Sequence, residues 1–361
     1  MSDPYKYPEM RKILVEDFEW ILSDSLPLEK LAGSTVLVTG ATGYIARYLI
    51  EFLIYWNEKK QAAPCRIIAL VRNREKAASL FSHCMGRDDF RLLVQDVCDP
   101  VGVDEPVHYI VHAASQSLPK NYGKDPVGSI RPNVIGTWNL LEFARTSQCR
   151  GFLFLSSGEV YGKFDPPPVD PIHEAFFGKL DPLDLRSCYA ESKRAAETMC
   201  MAWGLQFGVP AKIARLGHTY GPGMDLEDGR VFADFTASIV RGRDIVLKSD
   251  GADFRQFCYL SDTAKGLLLI LLNGSDGEAY NLVNVGAEIR IVDLAELLCG
   301  LFPERNLRVI KASSGDSPIR PWNPGVKVNI EKIGRLGWLP QVGLGEGFRR
   351  TIVSYGNFCK A

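Results

Sequence analysis

From Ser34 onward the chain repeats one pattern, a short apolar run followed by a longer amphipathic stretch. Thr35-Val-Leu-Val-Thr39, Arg66-Ile-Ile-Ala-Leu-Val71, Arg91-Leu-Leu-Val94, Tyr109-Ile-Val-His112 and Phe152-Leu-Phe-Leu155 have the length and content of buried strands. Tyr44 to Trp56, a segment through Lys76, and Val134 to Thr146 carry the helical period between them. Strands that are apolar throughout need cover on both faces, and strands separated by helices run parallel. The alternation predicts an α/β fold, a doubly wound parallel sheet with helices on each side.

Around this core the chain divides into three parts. In residues 1–33, Leu14, Phe18, Ile21 and Leu22 recur at helical spacing until Pro27, which predicts an amphipathic helix laid on the main body. Residues 34–210 form the dinucleotide-type domain. Residues 211–361, punctuated by Gly and Pro, predict a smaller lobe with segments that return to the sheet. With 42 Lys+Arg against 43 Asp+Glu, the net charge of -1 provides no field for a nucleic acid or membrane partner. The Leu267 to Leu272 run is far short of the roughly 20 residues that span a bilayer, and the first residues lack a signal-peptide pattern. Nine scattered cysteines without a Cys-x-x-Cys pair favour reduced thiols and a cytoplasmic protein over a zinc site or disulfide frame.

Gly40-Ala-Thr42-Gly43-Tyr44-Ile45-Ala46 follows the first strand and opens the first helix of the sheet. Glycines there permit a tight turn and close approach of backbone to a pyrophosphate, whose charge suits the helix N-terminus. Asp96 and Val97 follow the third strand, where a carboxylate can reach an adenine amino group. Ala113, Ala114 and Ser115 end the fourth with small residues that let a cofactor lie across the sheet edge. The second strand ends in Arg72-Asn73-Arg74, without the acid that usually holds ribose hydroxyls. NAD, with Asn73 on the ribose, and NADP, with arginines on its 2′-phosphate, both remain open.

Tyr189-Ala-Glu-Ser-Lys193 puts a phenol and an ammonium on one helical face. A cation that close lowers a phenol pKa and suits Tyr189 to proton exchange with a substrate hydroxyl. Ser157, in Ser156-Ser-Gly-Glu159 directly after the fifth strand, brings a hydroxyl to the same sheet edge.

Together with Asn133-Val-Ile-Gly-Thr137, Arg215-Leu-Gly-His-Thr-Tyr-Gly-Pro-Gly223 and Leu336-Gly-Trp-Leu-Pro340, these motifs make the chain from Ser34 onward resemble the extended short-chain dehydrogenase/reductase family of nucleotide-sugar epimerases, dehydratases and decarboxylases. The resemblance implies a Rossmann domain with a smaller C-terminal substrate-binding lobe and a Ser157, Tyr189, Lys193 catalytic triad. It also implies oxidation of the sugar at C4 by the bound cofactor, a nucleotide-diphosphate sugar as partner, and a homodimer. Dehydratases of the family carry Asp-Glu after the catalytic hydroxyl; here Gly158-Glu159 lacks the acid, while a simple 4-epimerase does not need Glu159. The Ser-x-Glu-Val-Tyr-Gly162 run is most similar to UDP-glucuronate decarboxylases, as are the segments holding Asn121, Tyr122 and Arg230. That subfamily implies substrate contacts from Asn121, Tyr122, His218, Arg230 and Arg255, with Arg255 beside the sugar carboxylate and phosphates. Two positions depart from its pattern: His218 stands where it usually has Asn, and Gly223 where it often has Arg. Decarboxylation leads, epimerisation and dehydration remain alternatives, and the intact Tyr/Lys pair argues against a non-catalytic cofactor sensor.

Overall fold

A computed structural model describes residues 7–59, 63–117, 122, 124–147, 149–311 and 326–356. Of the expected site residues, Asn121 lies outside them. Strands β1 (Thr35–Thr39), β2 (Arg66–Val71), β3 (Phe90–Val94), β4 (Tyr109–His112) and β5 (Gly151–Ser157) are followed by β6 (Ala211–Leu216), β7 (His218–Tyr220), β8 (Ile245–Leu247) and β9 (Phe254–Tyr259). β10 (Glu278–Leu282), β11 (Glu288–Arg290) and β12 (Val309–Lys311) complete the set. Helices α1 (Pro8–Ser23), α2 (Tyr44–Lys59), α3 (Arg74–Leu80), α4 (Pro126–Arg131), α5 (Thr137–Thr146) and α6 (Ser187–Phe207) precede β6. The remainder are α7 (Val231–Val240), α8 (Leu260–Asn273), α9 (Ile291–Gly300), α10 (Glu331–Gly334) and α11 (Leu344–Val353).

The central sheet has seven parallel strands in the order β10-β6-β5-β4-β1-β2-β3, so the chain winds outward in both directions from β1 and β4. Two of the seven, β6 and β10, come from beyond residue 210. Successive residues of β1 bury on opposite faces: Val36 and Val38 join a core made with α1, α2 and α8, and Leu37 joins one made with α5 and α6. The Leu267 to Leu272 run lies within α8, buried all round beneath the sheet, and no helix among the described residues is long and apolar enough to cross a membrane. A third core joins α7, α9 and α11 to β7, β8 and β9 and builds the smaller lobe.

The N-terminal pattern forms α1, opened by Pro8 at its first position, with Met10, Leu14, Phe18 and Ile21 buried. The helix expected from Val134 begins instead at Thr137. A π turn over Pro132–Gly136 precedes it; there Gly136 packs so closely on Val97 that a Cβ would stand 2.8 Å from Val97 Cγ1, and the Thr137 hydroxyl bonds back to the Asn133 carbonyl. The side chain of Asn133 then donates to the Ser129 carbonyl and to Ser192 Oγ of α6, tying the turn to the helix that carries Tyr189.

Candidate active site

After β1 the chain turns through Gly40 at a φ of +62°, where a Cβ would lie 2.7 Å from Ala114 Cα; a side chain is excluded twice, by conformation and by space. Gly43 N–H closes the turn on the Gly40 carbonyl at 2.7 Å, and α2 starts at the next residue. Gly40, Thr42, Gly43, Tyr44 and Ile45, with Ala113 and Ser115 of the β4 end, line a cavity of about 1220 Å³. Its floor is the first turn of a 16-residue helix, whose backbone N–H groups lack helical partners, so the residues present fit a dinucleotide diphosphate.

The adenosine side is less direct. Asn73 Oδ1 caps α3 by accepting from Lys76 N at 2.8 Å, and Arg72 beside it is exposed. Burial would raise the Asp96 carboxyl, but the Cys98 N–H and the charges of Arg72 and Arg131 outweigh it and hold the group below its usual range. The Val97 side chain is a buried spacer against Gly136, and the Ala114 backbone packs against Gly40.

Tyr189 and Lys193 face the same cavity from α6, both almost fully buried. The expectation that the ammonium lowers the phenol is not met in the protein alone: burial pushes Tyr189 up to about 12, with the Ser157 and Ser115 hydroxyls opposing. Lys193 Nζ is turned to the Leu155 carbonyl at 2.6 Å and lies 4.5 Å from the Phe154 ring centre and 5.8 Å from that of Tyr189. Burial takes this ammonium down to about 7. Ser157 accepts from Glu159 N–H at 3.2 Å at the end of β5, and Glu159, which keeps solvent exposure, lines the cleft. Enclosure there raises it, while Arg186 and Arg255 pull it back.

Beside these groups the Tyr122 ring stacks on Tyr189, centres 5.3 Å apart at 14°, and the Tyr122 hydroxyl donates to the Ser117 carbonyl. His218, Arg230 and Arg255 line the same cavity. Enclosure, reinforced by those two arginines, pushes His218 down to about 3, so its imidazole is neutral at physiological pH and edges onto Phe232 and Phe257. Arg230 is aimed by Asp228, which accepts from its Nε at 2.7 Å. Arg255 donates to the Phe254 carbonyl at 2.7 Å and lies 3.7 Å from Asp253. The structure thus gathers Ser157, Glu159, Tyr189, Lys193, Tyr122, His218, Arg230 and Arg255 around one space. Arg186, which helps set the charge at Glu159, was missed by sequence reasoning although it stands only three residues before Tyr189. Among the described residues Glu51, His83 and Cys84 form the one cluster of metal-ligand type; none of the three lines this cavity, although Glu51 lies 3.6 Å from Arg47, which does.

The model of the NAD dependent epimerase/dehydratase family matches residues 36–286. UDP-glucuronic acid decarboxylase 6 of Arabidopsis thaliana is 34% identical over 316 residues, covering 86% of each chain. UDP-glucuronic acid decarboxylase 1 of Xenopus tropicalis is 34% identical over 318 residues, 88% of this chain and 71% of that one. Among solved structures, UDP-glucose 4-epimerase of Thermotoga maritima with UDP-glucose aligns at a TM-score of 0.74 and 22% identity, over 89% of this chain and 98% of that one. UDP-glucuronic acid 4-epimerase of Bacillus cereus with UDP-glucuronic acid and NAD aligns at 0.72 and 20%, with the same coverage. These structures share the fold.

Proposed function

The chain belongs to the NAD dependent epimerase/dehydratase family, and we propose that within it this enzyme is a UDP-glucuronate decarboxylase. The observation that carries the reading is the convergence of Tyr189, Ser157 and Glu159 with Arg255 and Arg230 on one cavity. Two cations at the far wall suit an anionic sugar nucleotide, and Gly158 leaves no acid beside Ser157 to protonate a departing hydroxide. The curated relatives at about one third identity bear the same activity in their names.

Tyr189, with Ser157 hydrogen-bonded beside it, takes the proton of the C4 hydroxyl. Bound NAD supplies the acceptor for the C4 hydride and a positive ring that favours the phenolate. The residues that would hold it are Gly40, Thr42, Gly43, Tyr44 and Ile45 at the diphosphate, Ala113, Ala114 and Ser115 at the sheet edge, and Lys193 at the nicotinamide ribose; Arg72, Asn73, Asp96 and Val97 stand on the adenosine side. A ketone at C4 makes the C5 carboxylate a β-keto acid, so as the C5–CO2 bond breaks its electron pair passes to O4. Ser157 and the now protonated Tyr189 hydrogen-bond that oxygen. A proton from water then enters at C5, and return of the hydride to C4, with Tyr189 giving its proton back to O4, would leave a UDP-pentose and the cofactor in its starting state. Arg255 and Arg230 hold the anionic groups, Glu159 and His218 position the sugar, and Tyr122, stacked on Tyr189, walls the ring in.

In this reading residues 34–210 hold the cofactor, 211–361 mainly hold the sugar nucleotide, and the segment within 1–33 braces the two. The eight described cysteines are free thiols, which suits a cytoplasmic enzyme. Val127 of α4, Ile135 of the π turn, Trp138 of α5 and Leu205 of α6 are exposed apolar side chains, which supports a homodimer through this helical side. Light scattering of the wild type and of Leu205→Glu tests the dimer, which the charge should split.

The chemistry is tested by incubating the purified chain with NAD and UDP-glucuronate and following the nucleotide sugar by mass spectrometry. Loss of CO2 to give a UDP-pentose is expected. An unchanged mass with inverted C4 would make it a 4-epimerase, and loss of water a dehydratase.

A further inference from the structure

Three side chains of different chemistry meet between α2 and the turn that follows α3. Glu51 comes from α2, and His83 and Cys84 are consecutive residues of the turn. A carboxylate oxygen of Glu51, a ring nitrogen of His83 and the Cys84 sulfur all lie within 4.8 Å of one another. The turn is held at its base, where Cys84 N–H donates to the Phe81 carbonyl at 2.9 Å and the Phe81 ring packs on Phe90 with centres 5.2 Å apart. Glu51 and Cys84 are buried and His83 is exposed, so the group is enclosed except on its imidazole side.

The carboxylate has capacity to spare. His83 Nε2 and Glu51 Oε2 stand 2.8 Å apart, while Glu51 Oε1 is buried and accepts no hydrogen bond. Arg47 Nε lies 3.6 Å from that oxygen, but the guanidinium is also held elsewhere: its Nη2 donates to the Leu80 carbonyl at 3.0 Å, and it lies 6.0 Å from the Phe81 ring centre. Arg87, the second cation near Cys84, is turned to Asp89 and Glu58. Neither guanidinium depends on Glu51 alone, so drawing the carboxylate toward an ion strands neither. Burial, with the Glu51 carboxylate beside it, pushes the Cys84 thiol up to about 12. A bound cation reverses that balance, because the thiolate is the form that ligates metal.

We propose that Glu51, His83 and Cys84 form a binding site for a zinc-type divalent cation, with the fourth coordination position left to water. One oxygen, one nitrogen and one sulfur make a borderline-soft donor set, which suits zinc rather than calcium or magnesium, whose ligands are oxygens. Binding displaces the Cys84 proton to solvent, and the carboxylate and thiolate together balance the two charges of the ion. The ion ties α2, whose first turn frames the phosphate site, to the end of α3. Cysteine spacing gives no sign of such a site, because one thiol takes part and Glu51 lies 32 residues from His83. The inference is independent of the reaction proposed above.

The test uses the full chain without an affinity tag, stripped of metal by a chelator that is then dialysed away. Zinc is titrated in competition with a chromophoric chelator, and cobalt(II) serves as the spectroscopic probe. The expected results are a single equivalent of zinc, a rise in melting temperature on adding it, and a cobalt complex with thiolate-to-metal charge-transfer absorption. Cys84→Ser abolishes that absorption. His83→Ala, at an exposed position, keeps the fold, loses the thermal shift and weakens zinc binding by more than the roughly tenfold that loss of a metal's outer-shell partner costs. Should Cys84→Ser fail to fold, His83→Ala and the cobalt spectrum of the wild type still decide. Failure of the wild type to bind zinc, binding unchanged in His83→Ala, or a cobalt spectrum without the thiolate band overturns the inference. None of these readouts involves UDP-glucuronate, so the proposed reaction and this site can fail separately.

Discussion

Two cations are buried in this protein on opposite terms. Arg350 of α11 lies beneath α1, where its terminal nitrogens donate to Asp17 Oδ1 at 2.7 Å, the Ile13 carbonyl at 3.2 Å and Glu16 at 2.9 Å, and its Nε to the Tyr259 hydroxyl at 3.3 Å. Asp17 Oδ2 accepts from Tyr48 and Tyr259, so the pair is saturated and bridges α1, α2, β9 and α11. Burial would lower Arg350, but Asp17 and Tyr259 hold it above its ordinary range. Lys193, as deeply buried, has one carbonyl and two ring faces within reach, and is driven down to about 7. A fully paired ion braces a fold; an underpaired one keeps a proton loosely enough to do chemistry.

The comparison can be broken at its most consequential point first. Tyr189→Phe should cut kcat about 1000-fold while leaving thermal stability intact; a variant retaining a tenth of wild-type turnover would remove the phenol from the chemistry and Lys193 from its role. On the structural side, Asp17→Ala strands Arg350 and should cost about 3–5 kcal/mol in urea unfolding. A loss below about 1 kcal/mol would mean the α1 pair is not the brace its geometry suggests.

Lys193→Met should act in the opposite direction, abolishing turnover yet raising stability by about 1–4 kcal/mol. The sign follows from proton counting. With the folded value near 7 against an ordinary 10.5, the unfolded chain binds the extra proton between them, so stability associated with Lys193 is lost as pH falls through 7. The gain from methionine is therefore largest below about pH 7 and fades toward about pH 10, which paired urea melts would reveal. The smallest effect concerns the glycine turn: Gly40→Ala forces a left-handed backbone and crowds Ala114, and should weaken NAD binding about tenfold by calorimetry.

Much of this was readable before any coordinates. Thr35–Thr39 and Arg66–Val71 fell where their apolar runs begin and end, and the period of Leu14, Phe18 and Ile21 placed α1. The helix starting at Thr137 begins later than its periodicity suggests, after a π turn whose Gly136 packs against Val97, some 40 residues away in the chain and out of reach of a local pattern. Tyr189 and Lys193 were paired correctly by spacing, but the direction of the phenol shift was not, since spacing says nothing of how much water is left around the group. Arg186 was missed for the same reason: its effect runs through space to Glu159, across a loop of unrelated sequence.

Local periodicity, two glycines at a strand end and a four-residue spacing were enough to establish the wound sheet, the tight turn into α2 and the shared face of phenol and ammonium, because each depends on residues a few positions apart. The protonation states did not follow from them. That burial takes Lys193 down to about 7, that burial with the charges of Arg255 and Arg230 takes His218 down to about 3, and that Glu197 is held by Ser156 and Arg215 were decided by distant segments closing around these groups and by β5 and β6 coming together beside α6. Desolvation and Coulomb energies are set by every atom surrounding a charge, and those neighbours are assembled only when distant segments pack.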